Sequence, residues 1–489
     1  MTLATVLTTL YLSALVGLAL YGWLGLVTLG LYARHRRERQ KQPEWDRAQA
    51  PPVTVQLPLY NERYVVARLI RAVAALDYPT DRLQIQVIDD STDDTTERAR
   101  RLVAYYKARG LDISLIHRRQ RSGFKAGAMA QATQQARGEF LVIFDADFQP
   151  PPDFLLRTIP HFMASPRLGV VQARWTHLND DDSLLAGAQA LALDKHFIVE
   201  QTVRHRVHLF PKFNGTAGVW RRACLEEAGG WQPDTLCEDL CASTRALLGG
   251  WEFRFLPQVT APAELPNTIG AYRNQQARWA KGSTQCLLKY ARPVITSRRL
   301  SWAARLYGLL TMASYATSVL LILLLLLQVP LLYVSIPFSP LMIPLSIAGL
   351  GQPLLFLASQ QALYGNWHRR ALRRLPLLLL TAIGLSPTIG RAVFEALLER
   401  QGTFARTPKN GDHSIPAAEY KLSFDWIVFV ELFLAVYAVA GIVLAMAHGR
   451  LAPLFFLLSC FLGFTYVLFL TLKEQISFRT VAAPKKNKY

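Results

Sequence analysis

The chain has 489 residues, 51% hydrophobic and 18% charged, and its 54 Lys and Arg against 35 Asp and Glu give a formal net charge of +19. Length alone predicts two or three domains. Apolar residues crowd the two ends and charged ones fill the middle, which excludes an ordinary soluble globule and predicts a soluble domain hung between membrane segments. The basic runs sit beside apolar spans, so the positive balance points to anionic lipid and membrane orientation, and nucleic acid is not an expected partner.

A bilayer core of about 30 Å takes roughly 20 apolar residues in helix, and residues 1–32 are long enough. They lack the basic start and short apolar core of a signal peptide, so residues 1–33 read as an N-terminal anchor. Arg34, His35, Arg36, Arg37 and Arg39 follow it and mark that side as cytoplasmic.

From residue 53 the pattern changes. Short runs rich in Val, Ile and Leu over 53–57, 84–88, 113–117, 139–144 and 168–173 read as strands. Amphipathic stretches over 65–76, 94–109 and 126–136 read as helices between them. The alternation predicts an α/β domain over 45–265 with a mainly parallel sheet. Ligands of such sheets gather beyond the carboxyl ends of the strands, and three acidic clusters fall there, after 57, after 88 and after 144.

Asp145 and Asp147 flank one small residue directly after the buried run Leu141-Val142-Ile143-Phe144. Both carboxylates can reach one divalent ion, Mg²⁺ or Mn²⁺, whose other positions diphosphate oxygens would fill. Asp90, with Asp89 beside it, is suited to accept hydrogen bonds from a nucleobase or ribose; a turn or helix cap with Ser91 is the competing reading. Lys125 follows Gly123 at the start of a helix, where a phosphate is readily bound. Further on, Glu238 and Asp239 open an apolar helix. Transfer of a sugar with inversion needs a carboxylate to take the acceptor hydroxyl's proton, and Asp239 is the candidate, though acids also favour a first turn on electrostatic grounds alone.

Residues 266–300 read as basic interfacial helices. Gln275 and Arg278 are three apart and share a face; Arg278 is placed to meet a diphosphate and Trp279 to stack on a sugar ring. Residues 301–489 form the membrane region, with spans over 306–334, 340–363, 425–448 and 452–472. The segment 375–398 is interrupted at Ser386-Pro387 and charged at its end, so it reads as a broken helix in the interface or dipping partway in. Five crossings then put both the basic 367–374 loop and the lysines at 485, 486 and 488 inside. Tyr315, Gln328, Glu431, Tyr437 and Tyr466 are candidates to line a path through the spans. The five cysteines lack a metal-binding spacing and read as plain thiols.

In order, Asp90, Asp145-x-Asp147, Glu238-Asp239 and Gln275-x-x-Arg278-Trp279 resemble the acidic and QxxRW series of processive family 2 glycosyltransferases, among them cellulose and hyaluronan synthases. The wording is more similar still to plant cellulose-synthase-like A and C proteins, which make mannan and glucan backbones, and to bacterial relatives. The phrases that carry this are Gln86-Val87-Ile88-Asp89-Asp90-Ser91-Thr92, Phe144-Asp145-Ala146-Asp147-Phe148, Phe213-Asn214-Gly215-Thr216-Ala217-Gly218-Val219-Trp220 and Glu264-Leu265-Pro266.

The resemblance implies a GT-A fold on a multi-pass helical channel in the plasma or inner membrane, with the catalytic domain cytoplasmic. It implies that Tyr60, Glu62, Asp90 and Lys125 bind the nucleotide and Asp145 and Asp147 the metal diphosphate, with Asp239 as base. Phe213, Asn214, Gly215 and Thr216 would hold the acceptor terminus, with Trp279 stacked on it. Residues 402–409 are similar to the gating loop of cellulose synthases, which assigns Phe404, Arg406, Thr407 and Lys409 to closure over the donor within the 375–411 segment. Cys237 and Arg406 depart from the family pattern, which favours Thr and an apolar residue there.

The implied activity is polymerisation of a β-linked mannan or glucan from GDP-mannose or UDP-glucose, with the growing glycan, the lipid bilayer and accessory export proteins as partners. A transferase adding one sugar to a lipid, and an inactive membrane scaffold or sensor, are the alternatives.

Overall fold

The computed structural model describes residues 2–38, 41–334, 342–399 and 425–482. In chain order the elements begin with α1 (Leu3–His35), β1 (Val53–Leu59), α2 (Val66–Ala74), β2 (Leu83–Asp89), α3 (Thr95–Lys107), β3 (Asp112–His117), α4 (Phe124–Gln134) and β4 (Phe140–Ile143). They continue through α5 (Phe154–Thr158), α6 (Pro160–Met163), β5 (Leu168–His177), α7 (Leu184–Asp194), a π-helix (Lys195–Gln201), α8 (Thr202–Arg206), β6 (Gly218–Arg221), α9 (Arg222–Glu227), α10 (Glu238–Leu248) and β7 (Glu252–Ala263). Helices complete the chain: α11 (Ile269–Thr296), α12 (Trp302–Met312), α13 (Ala316–Gln328), α14 (Met342–Ala348), α15 (Gly351–Leu363), α16 (Trp367–Gly384), α17 (Ser386–Leu397), α18 (Ile427–Ala447) and α19 (Leu454–Ala482).

One seven-stranded sheet runs in the order β3-β2-β1-β4-β6-β5-β7. β1 is covered on both faces, and Val53, Val55 and Leu57 are almost wholly buried, as a central parallel strand requires. α2 lays Val66, Leu69, Ile70 and Val73 on the sheet at helical spacing. Four neighbouring pairs are parallel and two, β4·β6 and β5·β6, are antiparallel, so the expected mainly parallel sheet is mixed.

β6 and β7 were not expected from the sequence. β6 has only four residues, and β7 carries Pro257 and Pro262, which a strand tolerates best at a sheet edge. β7 does lie at the edge, paired with β5 through two shifts of register.

Five helices among the described residues are long and apolar enough to cross a bilayer: Leu3–His35, Ala316–Tyr333, Ile343–Leu363, Ile427–Ala447 and Leu454–Ile476. The expected span over 306–334 is shorter than its apolar run, because the chain breaks between α12 and α13. Thr311 and Thr317 there hydrogen-bond to backbone carbonyls, a local alternative to helix continuation. α16 and α17 meet at a 47° bend, where Pro387 near the start of α17 lacks the N–H to continue the helix. This is the interruption read at Ser386-Pro387.

Candidate functional site

The carboxyl ends of β1, β2 and β4, the first turn of α10 and one face of α11 converge on a cleft of about 210 Å³. Tyr60, Glu62, Asp90, Lys125, Asp145, Asp147, Asn214, Gly215, Glu238, Asp239, Gln275, Arg278 and Trp279 all line it. The backbone explains the convergence. Asp90 N–H donates to Leu59 O at 3.0 Å, tying the β2 exit to the β1 exit. Asn61, at φ 56°, donates its N–H to Ser91 Oγ at 2.8 Å.

β6 matters most for assembly. Running antiparallel to β4, it returns residues 213–217 to the end of β4, where Ala217 N–H donates to Ile143 O and Asp145 N–H to Thr216 Oγ1, both at 2.8 Å.

Arg118 grips Asp90 through two bonds, Nε to Oδ1 at 2.7 Å and Nη2 to Oδ2 at 2.5 Å, a bidentate pair that fixes the carboxylate plane. The Arg121 guanidinium stacks 3.4 Å from the centre of the Tyr60 ring and forms a wall of the cleft. Lys125 Nζ donates to Asp145 Oδ1 at 2.6 Å and to Gly215 O at 3.0 Å, and lies 3.8 Å from Glu238. Burial alone would depress this ammonium's pKa; Asp145, Glu238 and Asp239 together hold it above its ordinary value. Burial also lifts Asp239 above 3.8, with Lys125 pulling the other way. Glu238 is lifted by burial, which Lys125 opposes and the charge of Asp239 reinforces.

Gly215 (φ +85°) passes close to the α10 turn: a Cβ there would stand 3.0 Å from Asp239 Oδ2. The donor set fits a hard divalent cation. Asp145 and Asp147 face the cleft from one turn, and the Lys125 ammonium already rests on Asp145 as a positive charge. Among the described residues there is no group of three or more His, Cys, Asp or Glu positioned to hold a metal ion.

Three of the sequence-derived assignments fall outside this cleft. Asp89 is fully buried behind the rim, where it accepts from Thr96 Oγ1 at 2.6 Å and Ser91 N–H at 3.1 Å and contacts His117 Nδ1 at 2.8 Å. It braces the loop that presents Asp90. Thr216 is buried beneath Asp145, and Phe213 packs edge-on against Trp220 in the core. The gating residues Phe404, Arg406, Thr407 and Lys409 lie outside the described residues.

A second cavity of about 320 Å³ adjoins the cleft and shares Trp175, Asn214, Cys237, Asp239 and Trp279 with it. It extends to Phe213, to Tyr272 and Ser283 of α11, to Tyr315 at the α12–α13 break and to Phe356 of α15. Of the five intramembrane candidates only Tyr315 reaches it. Glu431 is instead fully buried against Arg273, with Nη2 donating to Oε2 at 3.0 Å; Oε1 lies at 2.9 Å but off the N–H direction. Gln328 accepts from Tyr11 Oη at 3.0 Å, joining α13 to α1.

Sequence reasoning missed Arg118, Arg121, Trp175, Lys195, His196, Glu200 and Lys212. The two arginines directly follow β3, so the strand-end rule could have found them. Nothing in their spacing marks the others.

Residues 51–282 match the family described as Glycosyltransferase like family 2. Over 261 residues the chain is 42% identical to glucomannan 4-beta-mannosyltransferase 2 of Arabidopsis thaliana, covering 53% of this chain and 49% of that protein. Over 280 residues it is 40% identical to glucomannan 4-beta-mannosyltransferase 1 of Cyamopsis tetragonoloba, covering 56% and 53%. The chain thus spans about half the length of the curated relatives it matches. In fold it resembles a mannosyltransferase of Pyrobaculum calidifontis solved in complex with GDP-Man and Mn²⁺, with a TM-score of 0.52, 22% identity, and coverage of 81% of this chain and 99% of the other.

Proposed function

We propose, because residues 51–282 match the glycosyltransferase family 2 model, that the chain polymerises a β-linked hexose glycan from a nucleotide sugar and feeds it into its membrane helices. The observation that carries this reading is the position of Asp239. Asp239 borders both the acidic cleft and the second cavity that leads to α11, to the α12–α13 break and to α15. A base there meets a donor on one side and an acceptor on the other.

In the reaction, a hydroxyl of the acceptor's terminal sugar attacks the anomeric carbon as the bond to the nucleoside diphosphate breaks. Asp239 takes the hydroxyl proton, and its lifted pKa makes it a stronger base than an exposed aspartate. Tyr60, Glu62, Asp90 and Lys125 hold the nucleotide; Gln275 and Arg278 meet the diphosphate end, and Trp279 stacks on the acceptor sugar. Asp145 and Asp147 would hold Mg²⁺ or Mn²⁺, which supplies positive charge to the departing diphosphate. The catalytic domain is cytoplasmic, set by the basic residues after α1.

The relatives are named mannosyltransferases and the solved structure of similar fold holds GDP-Man, so GDP-mannose is the first donor to test, with UDP-glucose the second. The full chain in lipid nanodiscs is incubated with each radiolabelled donor and Mg²⁺ or Mn²⁺, and the products are sized and digested with linkage-specific hydrolases. A ladder of β-mannanase-sensitive or β-glucanase-sensitive chains is expected. A single-sugar glycolipid as the only product, or no transfer from any donor, defeats the reading.

A further inference from the structure

Besides α11, the second cavity is lined by the π-helix Lys195–Gln201 between α7 and α8. Its wider turn sets Lys195 and His196, five and four residues before Glu200, around that one carboxylate. Lys195 Nζ donates to Glu200 Oε1 at 2.6 Å, and His196 Nδ1 lies 2.8 Å from Oε2. The other ring nitrogen, Nε2, lies 2.8 Å from Asn214 Nδ2, and Asn214 Oδ1 is taken by the Gln201 amide. An amide nitrogen can only donate, so His196 accepts from Asn214 at Nε2 and donates from Nδ1 to Glu200. Burial pushes this imidazole down to about 4, in keeping with a neutral ring.

Lys195, His196, Glu200 and Asn214 all face the cavity, as do the aromatic rings of Trp175, Trp279, Tyr315 and Phe356. Two of the roughly four lone-pair directions of the Glu200 carboxylate are filled by Lys195 and His196, which leaves acceptor capacity on a residue that lines the cavity. Aromatic faces with a few fixed polar groups suit a pyranose ring, whose C–H faces are apolar and whose hydroxyls donate.

We infer that Glu200, fixed by Lys195 and His196 on the π-helix, is a saccharide-recognition residue that accepts hydrogen bonds from the second hexose of the acceptor glycan, one unit behind the sugar at Trp279. The inference rests on the polymerase reading above. In it, Asn214 links the two subsites: its amide is oriented by the same histidine that orients Glu200.

The test uses the full chain in nanodiscs with the donor that supports synthesis and β-linked oligosaccharide acceptors of one to four units. For the wild type, kcat/KM is expected to rise by about tenfold or more from the one-unit to the two-unit acceptor, the gain of about one well-made hydrogen bond to a charged group. Glu200→Gln should erase most of that rise through the acceptor KM while leaving nucleotide affinity unchanged. His196→Gln, which keeps the Lys195–Glu200 pair, should erase part of it. A wild type indifferent to acceptor length overturns the inference, as do variants that keep the full rise or lose activity equally on all acceptors. Failure of the wild type to extend any saccharide would instead sink the polymerase reading, which separates the two.

Discussion

The cleft and the seam between the α/β domain and the long apolar helices use the same residue types to different ends. In the cleft, carboxylates share too few cations. Asp145, Glu238 and Asp239 all draw on Lys125, the Asp145 side chain stays 37% exposed, and Glu238 and Asp239 are lifted by burial. At the seam the acids are matched by at least as many cations: Arg273 with Glu431, Lys281 with Glu395 at 3.0 Å, and Arg374 with Asp180 and Asp181 at 3.0 and 2.6 Å, Arg370 adding a second bond to Asp180 at 2.6 Å. Surplus negative charge poised for a cation and a proton marks a reacting site. Charges matched in number by opposite charges mark an interface.

α11 belongs to both regions. It presents Gln275, Arg278 and Trp279 to the cleft while Arg273, two residues earlier, is held by α18, and the Glu474 carboxylate of α19 accepts from the N–H groups of Ile269 and Gly270 at its start.

The contrast can be broken first at Asp239. Asp239→Asn removes the proton acceptor with little change of shape, and kcat should fall by about 10² to 10⁴-fold. Nucleotide affinity, measured by calorimetry, should hold. Turnover near the wild-type rate would show that another group is the base.

At the seam the expected effect is on stability. Glu431→Gln strands a buried guanidinium and should cost about 3–5 kcal/mol, whereas the double change Arg273→Met with Glu431→Leu should be near neutral, because apolar pairs of similar volume often replace buried ion pairs without loss. Thermal unfolding in detergent reads both. The parallel double change in the cleft, Lys125→Met with Asp145→Leu, should spare stability and abolish transfer. If both double variants keep sugar transfer, or both lose it, the distinction between the regions fails.

A smaller effect is expected at Gly215. Its φ of +85° and the 3.0 Å approach to Asp239 Oδ2 make Gly215→Ala strained by about 1–3 kcal/mol. The loss should fall on kcat, through displacement of the base, more than on nucleotide affinity.

Much of this was legible in the sequence because it rests on local signals. The runs ending at Leu57, Ile88 and Phe144 are continuous and apolar, so the strands and the acids at their ends could be read in order. α11 was legible from the spacing of Gln275 and Arg278. What was not legible depends on pairing at a distance. Asp89 and Asp90 are neighbours with the same chemistry, and only the pleat sends one to Arg118 at the rim and the other to His117 behind it. Glu431 reads as a lone acid in a span until folding brings Arg273 to it across 158 positions. The π-helix has no sequence signature, so nothing in the sequence singles out Glu200.

The subtlest consequence concerns pH. Asp239 must be ionised to accept a proton, and its pKa is lifted by burial above 3.8, so kcat/KM should fall with decreasing pH at values above the ordinary aspartate range. Lys125 opposes that lift by its charge. Lys125→Met removes the opposition, so the carboxyl protonates more readily and the acid limb of the pH profile should move to higher pH, whatever the loss in absolute rate. Glu238 is lifted by burial and by the charge of Asp239, so Glu238→Gln removes a like charge and should move the limb the opposite way, to lower pH. kcat/KM reports the free enzyme, so both shifts can be read without saturating donor. Limbs that move together, or not at all, would show that the group titrating in the profile is not Asp239.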